Sequence, residues 1–336
     1  MFFEALKALV IGIVEGITEW LPVSSTGHMI LVDEFIKLQV SPEFLELFLV
    51  VIQLGAIMAV LILYFNKLNP FSAKKTAPEK KSTWRLWGMV VIGCIPAAVI
   101  GLAFDDWVHD NFYGAITVSI ALIFYGIVFI VIEMYHKKKH GTATGGTAQA
   151  SAQGQASVRG KHARTNGDTA RNARISNAHN TAVNVTADGS TITTTGYKIN
   201  TVDAINVKTA LIIGAFQTLA IIPGTSRSGS TIIGGLLTGC SRVAAAEFSF
   251  FLAIPVMFGW GLLKTVKYLL NIGLSMTSTE VVVLLIGIVT AFILSVVSIK
   301  FLIGFVQKHS FIPFGIYRIV VGVIVLGYFA LSGGLI

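Results

Sequence analysis

The sequence has 336 residues, of which 54% are hydrophobic and only 12% charged, with a formal net charge of +8. Soluble chains carry about 25% charged residues, so this composition excludes a disordered protein and argues against a soluble enzyme. Residues 137–204 hold 9 Lys/Arg against 3 Asp/Glu, while the other 268 hold 16 against 14, so the surplus is one basic segment on a nearly neutral apolar body and not a nucleic-acid footprint.

Ala8–Val14 is apolar but too short to cross a bilayer core of about 30 Å. The chain turns polar through Glu15–His28 and resumes its apolar character at Met29–Val32. This N-terminus lacks a basic n-region and a small-residue cleavage site, so it is not read as a signal peptide. Phe44–Phe65, Leu86–Phe104 and Gly114–Tyr135 are each long enough to span as helices. Residues 137–204 are rich in Gly, Ala, Thr, Asn, Ser and Gln and are expected to be disordered. Val207–Ile222, the Gly/Ser/Thr-rich stretch Pro223–Thr231 and Ile232–Leu237 then read as a short helix, a turn and another short helix. Three further spans follow at Ala244–Leu263, Val281–Ile299 and Phe311–Ala330. Pro255 and Pro313 interrupt two of them. Cys94 and Cys240 lie in apolar runs without CxxC spacing and read as small core residues.

The expected fold is therefore an all-α polytopic membrane protein with six transmembrane helices and two re-entrant helical hairpins. Residues 1–136 and 205–336 would form two repeats flanking the cytoplasmic insertion 137–204. An offset of 201 residues aligns Pro22 with Pro223, Ser25 with Ser226, Glu46 with Glu247 and Gly114 with Gly315. With three spans in each half, the second half must be inverted, and sites in such architectures lie where the repeats meet. Lys67, Lys74, Lys75, Lys80, Lys81 and Arg85 place the loop after the first span in the cytoplasm, as Lys137–Lys139 do for the loop after the third.

Glu15 and Glu19 are four residues apart and share a helical face. Carboxylates embedded in a membrane are costly and mark function unless they sit at a wet helix end. As a pair they suit a hard divalent cation, Mg2+ or Ca2+, that would also bridge phosphate oxygens. Ser24, Ser25, Thr26, Gly27 and His28 follow, and His28 alone among seven histidines lies inside an apolar hairpin. Beside two acids and several hydroxyls it reads as a general base or nucleophile. The second turn offers Gly224, Thr225, Ser226, Arg227, Ser228, Gly229, Ser230 and Thr231, a guanidinium set in a hydroxyl-rich anion cradle. The plainer reading pairs Arg227 with a membrane acid such as Glu247 or Glu19. Arg318 and Gln53 are weaker candidates for the cavity lining, and Arg318 also reads as a structural partner of a buried acid. An acid/base set facing a basic nest reads as phosphoryl chemistry on a lipid.

The run Glu15–His28 resembles the first signature of the undecaprenyl-diphosphate phosphatases, the bacitracin-resistance family, and Pro223–Thr231 resembles their second. Phe48–Gly55, Glu247–Pro255 and Ser310–Arg318 also look like family segments, leaving roughly residues 137–204 outside the likeness. The resemblance implies hydrolysis of undecaprenyl diphosphate to the monophosphate carrier reused in peptidoglycan synthesis, and hence bacitracin resistance. It also implies a multi-pass protein of the bacterial plasma membrane with its site facing outward. Family roles fall on Glu15 and Glu19 for metal or acid/base work, on Ser25 and His28 for catalysis, and on Arg227 with its neighbouring hydroxyls for the diphosphate. The partners implied are a polyprenyl diphosphate and the bilayer, with a homodimer left open and no nucleic acid. A transporter of an anionic lipid or solute is the alternative, because broken helices in inverted repeats also serve transport. The other large class of membrane lipid phosphatases would place a histidine soon after Ser226-Arg227, and none occurs before His309.

Overall fold

Ten of the eleven helices run for two turns or more in a computed structural model that describes residues 1–112, 114–140, 175–177, 181–185, 191–194, 197–273 and 276–331. Two compact units emerge, one comprising Met1–Glu133 with Ile199–Ile336 and the other Met134–Lys198.

The larger unit is helical. Helix α1 (Phe2–Thr18) is followed by α2 (Ser25–Phe35), α3 (Pro42–Leu63), the single turn α4 (Phe65–Leu68), α5 (Ala77–Phe112) and α6 (Ala115–His140), which runs on into the smaller unit. After Ile199 come α7 (Val207–Gln217), α8 (Arg227–Leu237), α9 (Arg242–Ile272), α10 (Ser278–Lys308) and α11 (Ile312–Leu331). Among the described residues six helices are long and apolar enough to cross a membrane: α3, α5, α6, α9, α10 and α11. Each overlaps one of the spans expected from sequence, and the chain is a multi-pass membrane protein.

Local chemistry sets the helix ends. Ser41 and Ser241 cap α3 and α9 by accepting from the Phe44 and Ala244 N–H groups, both at 3.2 Å. Thr277 and Glu280 form a reciprocal capping box on α10. Pro96 and Pro255 lie inside α5 and α9. Pro313 instead sits in the first turn of α11, where its missing N–H leaves no helical bond unmade. It does not interrupt that span.

Small residues let the helices approach. Gly12 and Gly16 of α1 face Gly287 and Ala291 of α10, and a Cβ on Gly16 would stand 2.6 Å from the Ala291 carbonyl oxygen. This is the small-xxx-small packing that brings backbones together in a bilayer, where lipid removes the hydrophobic drive. A Cβ on Gly214 of α7 would lie 2.1 Å from the Gly93 carbonyl oxygen of α5. The short helices α1 and α7 are thereby packed closely against α10 and α5. The main core gathers Trp20, Phe129, Phe248, Phe250, Phe251 and Phe311, with Trp20 edge-on to Phe250 at 5.4 Å. Ile199, Val202 and Ile205 are buried in the same core.

In the smaller unit, β1 (Ile175–Asn177), β2 (Thr181–Val185) and β3 (Thr191–Thr194) form an antiparallel sheet in that order. Ile175 lies opposite Val183, and Ala182 opposite Thr194. The disorder expected over 137–204 falls largely outside the described residues.

Candidate active site

The two turns that join the short helices share one backbone geometry. Ser24 and Ser226 are the only described non-glycine residues with positive φ, at 75° and 74°. Such a conformation costs about 1–3 kcal/mol at a non-glycine residue and persists only where its surroundings enforce it. Each serine caps the helix that follows. Ser24 Oγ accepts from Gly27 N–H at 3.2 Å, and Ser226 Oγ accepts from Gly229 N–H at 3.1 Å. Ser24 therefore corresponds to Ser226, an offset of 202. The register of 201 read from sequence, which matched Ser25 to Ser226, is displaced by one at the site, because spacing between identical letters does not see backbone conformation.

The corrected register places Ser25 opposite Arg227, each the first residue of its helix. Both reach the carboxylate of Glu19, which ends α1. Ser25 Oγ donates to Glu19 Oε2 in a short hydrogen bond, and Arg227 Nη2 donates to Glu19 Oε1 at 3.0 Å. Arg227 Nη1 also donates to the Ser249 carbonyl of α9 at 3.1 Å. The ion pair foreseen as the plainer reading of Arg227 is thus present, with Glu19 as the partner. Glu247 pairs instead with Lys67 at 3.4 Å.

Glu15 lies one turn back on α1, buried, with Oε1 lacking any hydrogen-bond partner. Arg227 Nε, Thr225 Oγ1 and both amide atoms of Gln217 are likewise buried and unpartnered. Orphans of this kind call for water or an ion. Among the described residues no three His, Cys, Asp or Glu side chains gather as a cation cage. Each Glu19 oxygen already accepts one hydrogen bond and keeps a further lone pair, whereas Glu15 Oε1 accepts none. An ion of the Mg2+ type fits such a set, because it takes one or two carboxylates and completes its shell with substrate phosphate and water.

His28 stands on the first turn of α2. Its Nδ1 lies 2.7 Å from the Ser24 carbonyl oxygen. A carbonyl only accepts, so Nδ1 carries the proton and Nε2 presents its lone pair in the neutral ring. Tyr317 Oη of α11 lies 2.8 Å from that Nε2.

The hydroxyls of the second turn are used inside the fold. Ser228 Oγ donates towards the Glu19 and Leu21 carbonyls, both at 3.2 Å. Ser230 Oγ donates to the Ser226 carbonyl at 3.0 Å, and Thr231 Oγ1 donates to Ser249 Oγ at 2.6 Å. Gly224 has φ of 90°, and a Cβ there would meet the Val118 carbonyl oxygen at 2.7 Å. Of the hydroxyls expected to bind substrate, Thr26 is exposed and Ser25 half-buried, whereas Ser24, Thr225, Ser226, Ser228, Ser230 and Thr231 are buried.

Arg318 of α11 is fully buried. It meets no acid. Its Nη1 donates to the Pro22 carbonyl at 3.3 Å, and its Nη2 donates to the Gly224 and Thr225 carbonyls, each at 2.9 Å. One guanidinium thus binds carbonyls of both turns. Gln53 is half-buried on α3. Tyr317 and Ser249 are site neighbours that sequence reasoning missed. The adjacency of Tyr317 to Arg318 in an apolar run was the available signal.

The family profile of the bacitracin resistance protein BacA matches residues 8–160 and 170–324. The chain belongs to the BacA family. Its break in the profile, residues 161–169, falls inside the basic segment, and the likeness reaches into that segment from both sides. An undecaprenyl-diphosphatase of Enterococcus faecalis V583 is 47% identical, covering 99% of this chain and 100% of its own length. One from Desulfitobacterium hafniense is 48% identical over 97% of this chain and 96% of its own. Another, from Streptococcus thermophilus, is 44% identical over 98% and 94%. Both turns of this BacA-family site lie within the matched residues.

Proposed function

We propose that this chain is an integral membrane phosphatase that hydrolyses undecaprenyl diphosphate to undecaprenyl phosphate and inorganic phosphate, recycling the lipid carrier for peptidoglycan synthesis and so conferring bacitracin resistance. The observation that carries this reading is the convergence of Ser25 and Arg227 from two different turns on Glu19, with His28 one turn further along α2. The relatives' shared name supports it. In the proposed reaction a water oxygen bonds to the terminal phosphorus, the bond to the bridging oxygen breaks, and His28 Nε2 takes the water proton. Arg227 stabilises charge on the terminal phosphoryl oxygens as it redistributes. Glu15 and Glu19 would hold a divalent cation, which when bound would neutralise diphosphate charge.

The finer architecture belongs to the same proposal. The matched serines at positive φ and the carbonyls of both turns held by Arg318 support two re-entrant hairpins in an inverted repeat. The basic loops support a plasma-membrane orientation with the site facing outward. A transporter of an anionic lipid would share the broken helices but would release no phosphate. Phosphate release from undecaprenyl diphosphate by the purified full-length protein tests the reading, and no release above a protein-free control overturns it.

A further inference from the structure

We propose that Tyr317 is a positioning residue of this reaction, its hydroxyl holding the His28 imidazole in the tautomer that presents Nε2. The inference rests on the phosphatase reading above and deepens it. Two contacts fix the ring. The Ser24 carbonyl at 2.7 Å requires a proton on Nδ1. Tyr317 Oη at 2.8 Å must then donate to the unprotonated Nε2. The rings are also nearly parallel, at 4° between planes and 5.6 Å between centroids, so the phenol constrains the swing of the imidazole as well as its tautomer. The nitrogen that does not take the proton is commonly oriented by a hydrogen bond, the part the Ser24 carbonyl plays here, and Tyr317 adds a second hold at the working nitrogen. Here both nitrogens are held, one by the turn that carries Ser24 and the other by α11.

The placement of Tyr317 explains how it is aimed. Its neighbour Arg318 is fully buried and bonded to the carbonyls of both turns, so the first helical turns of α11 are anchored to the site itself. Tyr317 is 44% exposed, and its hydroxyl can yield Nε2 to the attacking water, keeping its own proton.

The test is Tyr317→Phe in the full-length protein, which keeps the stacking ring and removes the hydroxyl. Phosphate release from undecaprenyl diphosphate is expected to show kcat about 10- to 100-fold lower with KM changed less than about threefold. The independent readout is 15N NMR of histidine-labelled protein without substrate, with the His28 signals assigned from His28→Gln. Tyr317→Phe is expected to shift the Nε2 signal away from its hydrogen-bonded position. Unchanged kcat in the variant, or a loss confined to KM, overturns the proposal, and so does a rise in kcat/KM, which would make the hydroxyl a competitor of substrate. If the parent protein releases no phosphate while the NMR shift appears, the phosphatase reading fails and the Tyr317–His28 contact stands. An unmoved NMR signal removes the contact.

Discussion

Glu19 accepts from Ser25 on one side and Arg227 on the other, so a single carboxylate aligns a hydroxyl and a guanidinium contributed by different turns. Replacing His28 or Arg227 by alanine is expected to lower phosphate release at least about 100-fold, the scale on which a positioned base or charge stabiliser acts. Purified variants eluting as the parent does, assayed with polyprenyl diphosphate, check this, and normal turnover would remove that residue's role. Glu15→Gln keeps shape and removes charge at the unpartnered oxygen. It is expected to weaken activation by Mg2+, read as a rightward shift of the metal titration, while excess chelator silences the parent protein. Full activity in chelator would sink the metal assignment. Glu15, Glu19, His28 and Arg227 were all legible in the sequence because ionisable groups stand out in an apolar chain. The destinations of the hydroxyls were not. Ser228 and Thr231 looked like a phosphate cradle, yet Ser228 bonds the Glu19 and Leu21 carbonyls, set by tertiary packing, and Thr231 bonds Ser249 and the Arg227 and Ser228 carbonyls of its own helix.

Helix α11 acts on both turns, since Arg318 reaches each of them while Tyr317 reaches His28. Arg318→Met would fill much of the space and leave the Pro22, Gly224 and Thr225 carbonyls without their donor. Each unsatisfied buried group costs roughly 1–3 kcal/mol. A clear drop in thermal unfolding temperature in detergent is expected, together with lost activity, and a variant as stable as the parent would show that the clamp contributes little. The spans were read from sequence at about their true places, those of α3 and α11 at their full length and those of α5, α9 and α10 too short. Helix α5 begins at Ala77 rather than Leu86, and α9 continues past Leu263 to Ile272. Hydropathy registers the apolar middle of a helix, whereas backbone hydrogen bonding carries on through Lys80, Lys81 and Arg85 at one end and Lys264 and Lys267 at another. The register error at the turns has a similar origin, for Ser24 and Ser226 match in φ and not in the letters that flank them.

Charge organises the whole molecule. Lys67 pairs with Glu247 and with Asp203, at 3.4 and 3.9 Å, and Arg242 pairs with the buried Glu133. These groups sit just after α3, late in α6 and at the start of α9. With Cys94 and Cys240 replaced by serine, Lys74→Cys is expected to be shielded from a membrane-impermeant maleimide in intact cells, and Ser278→Cys to be labelled. The reverse pattern would invert the proposed orientation. The expected pattern would make the net charge of +8, concentrated in one segment, a signal of topology.

The clamp on α11 also has a consequence in time. A ribosome delivers α1, α2, α7 and α8 to the membrane before it has made Arg318 or Tyr317. Until then the two turns lack the guanidinium that ties them together, and the imidazole lacks its phenol. Assembly of the site is thus the closing act of biogenesis, and a nascent chain stalled before α11 would sit in the bilayer without a working phosphatase.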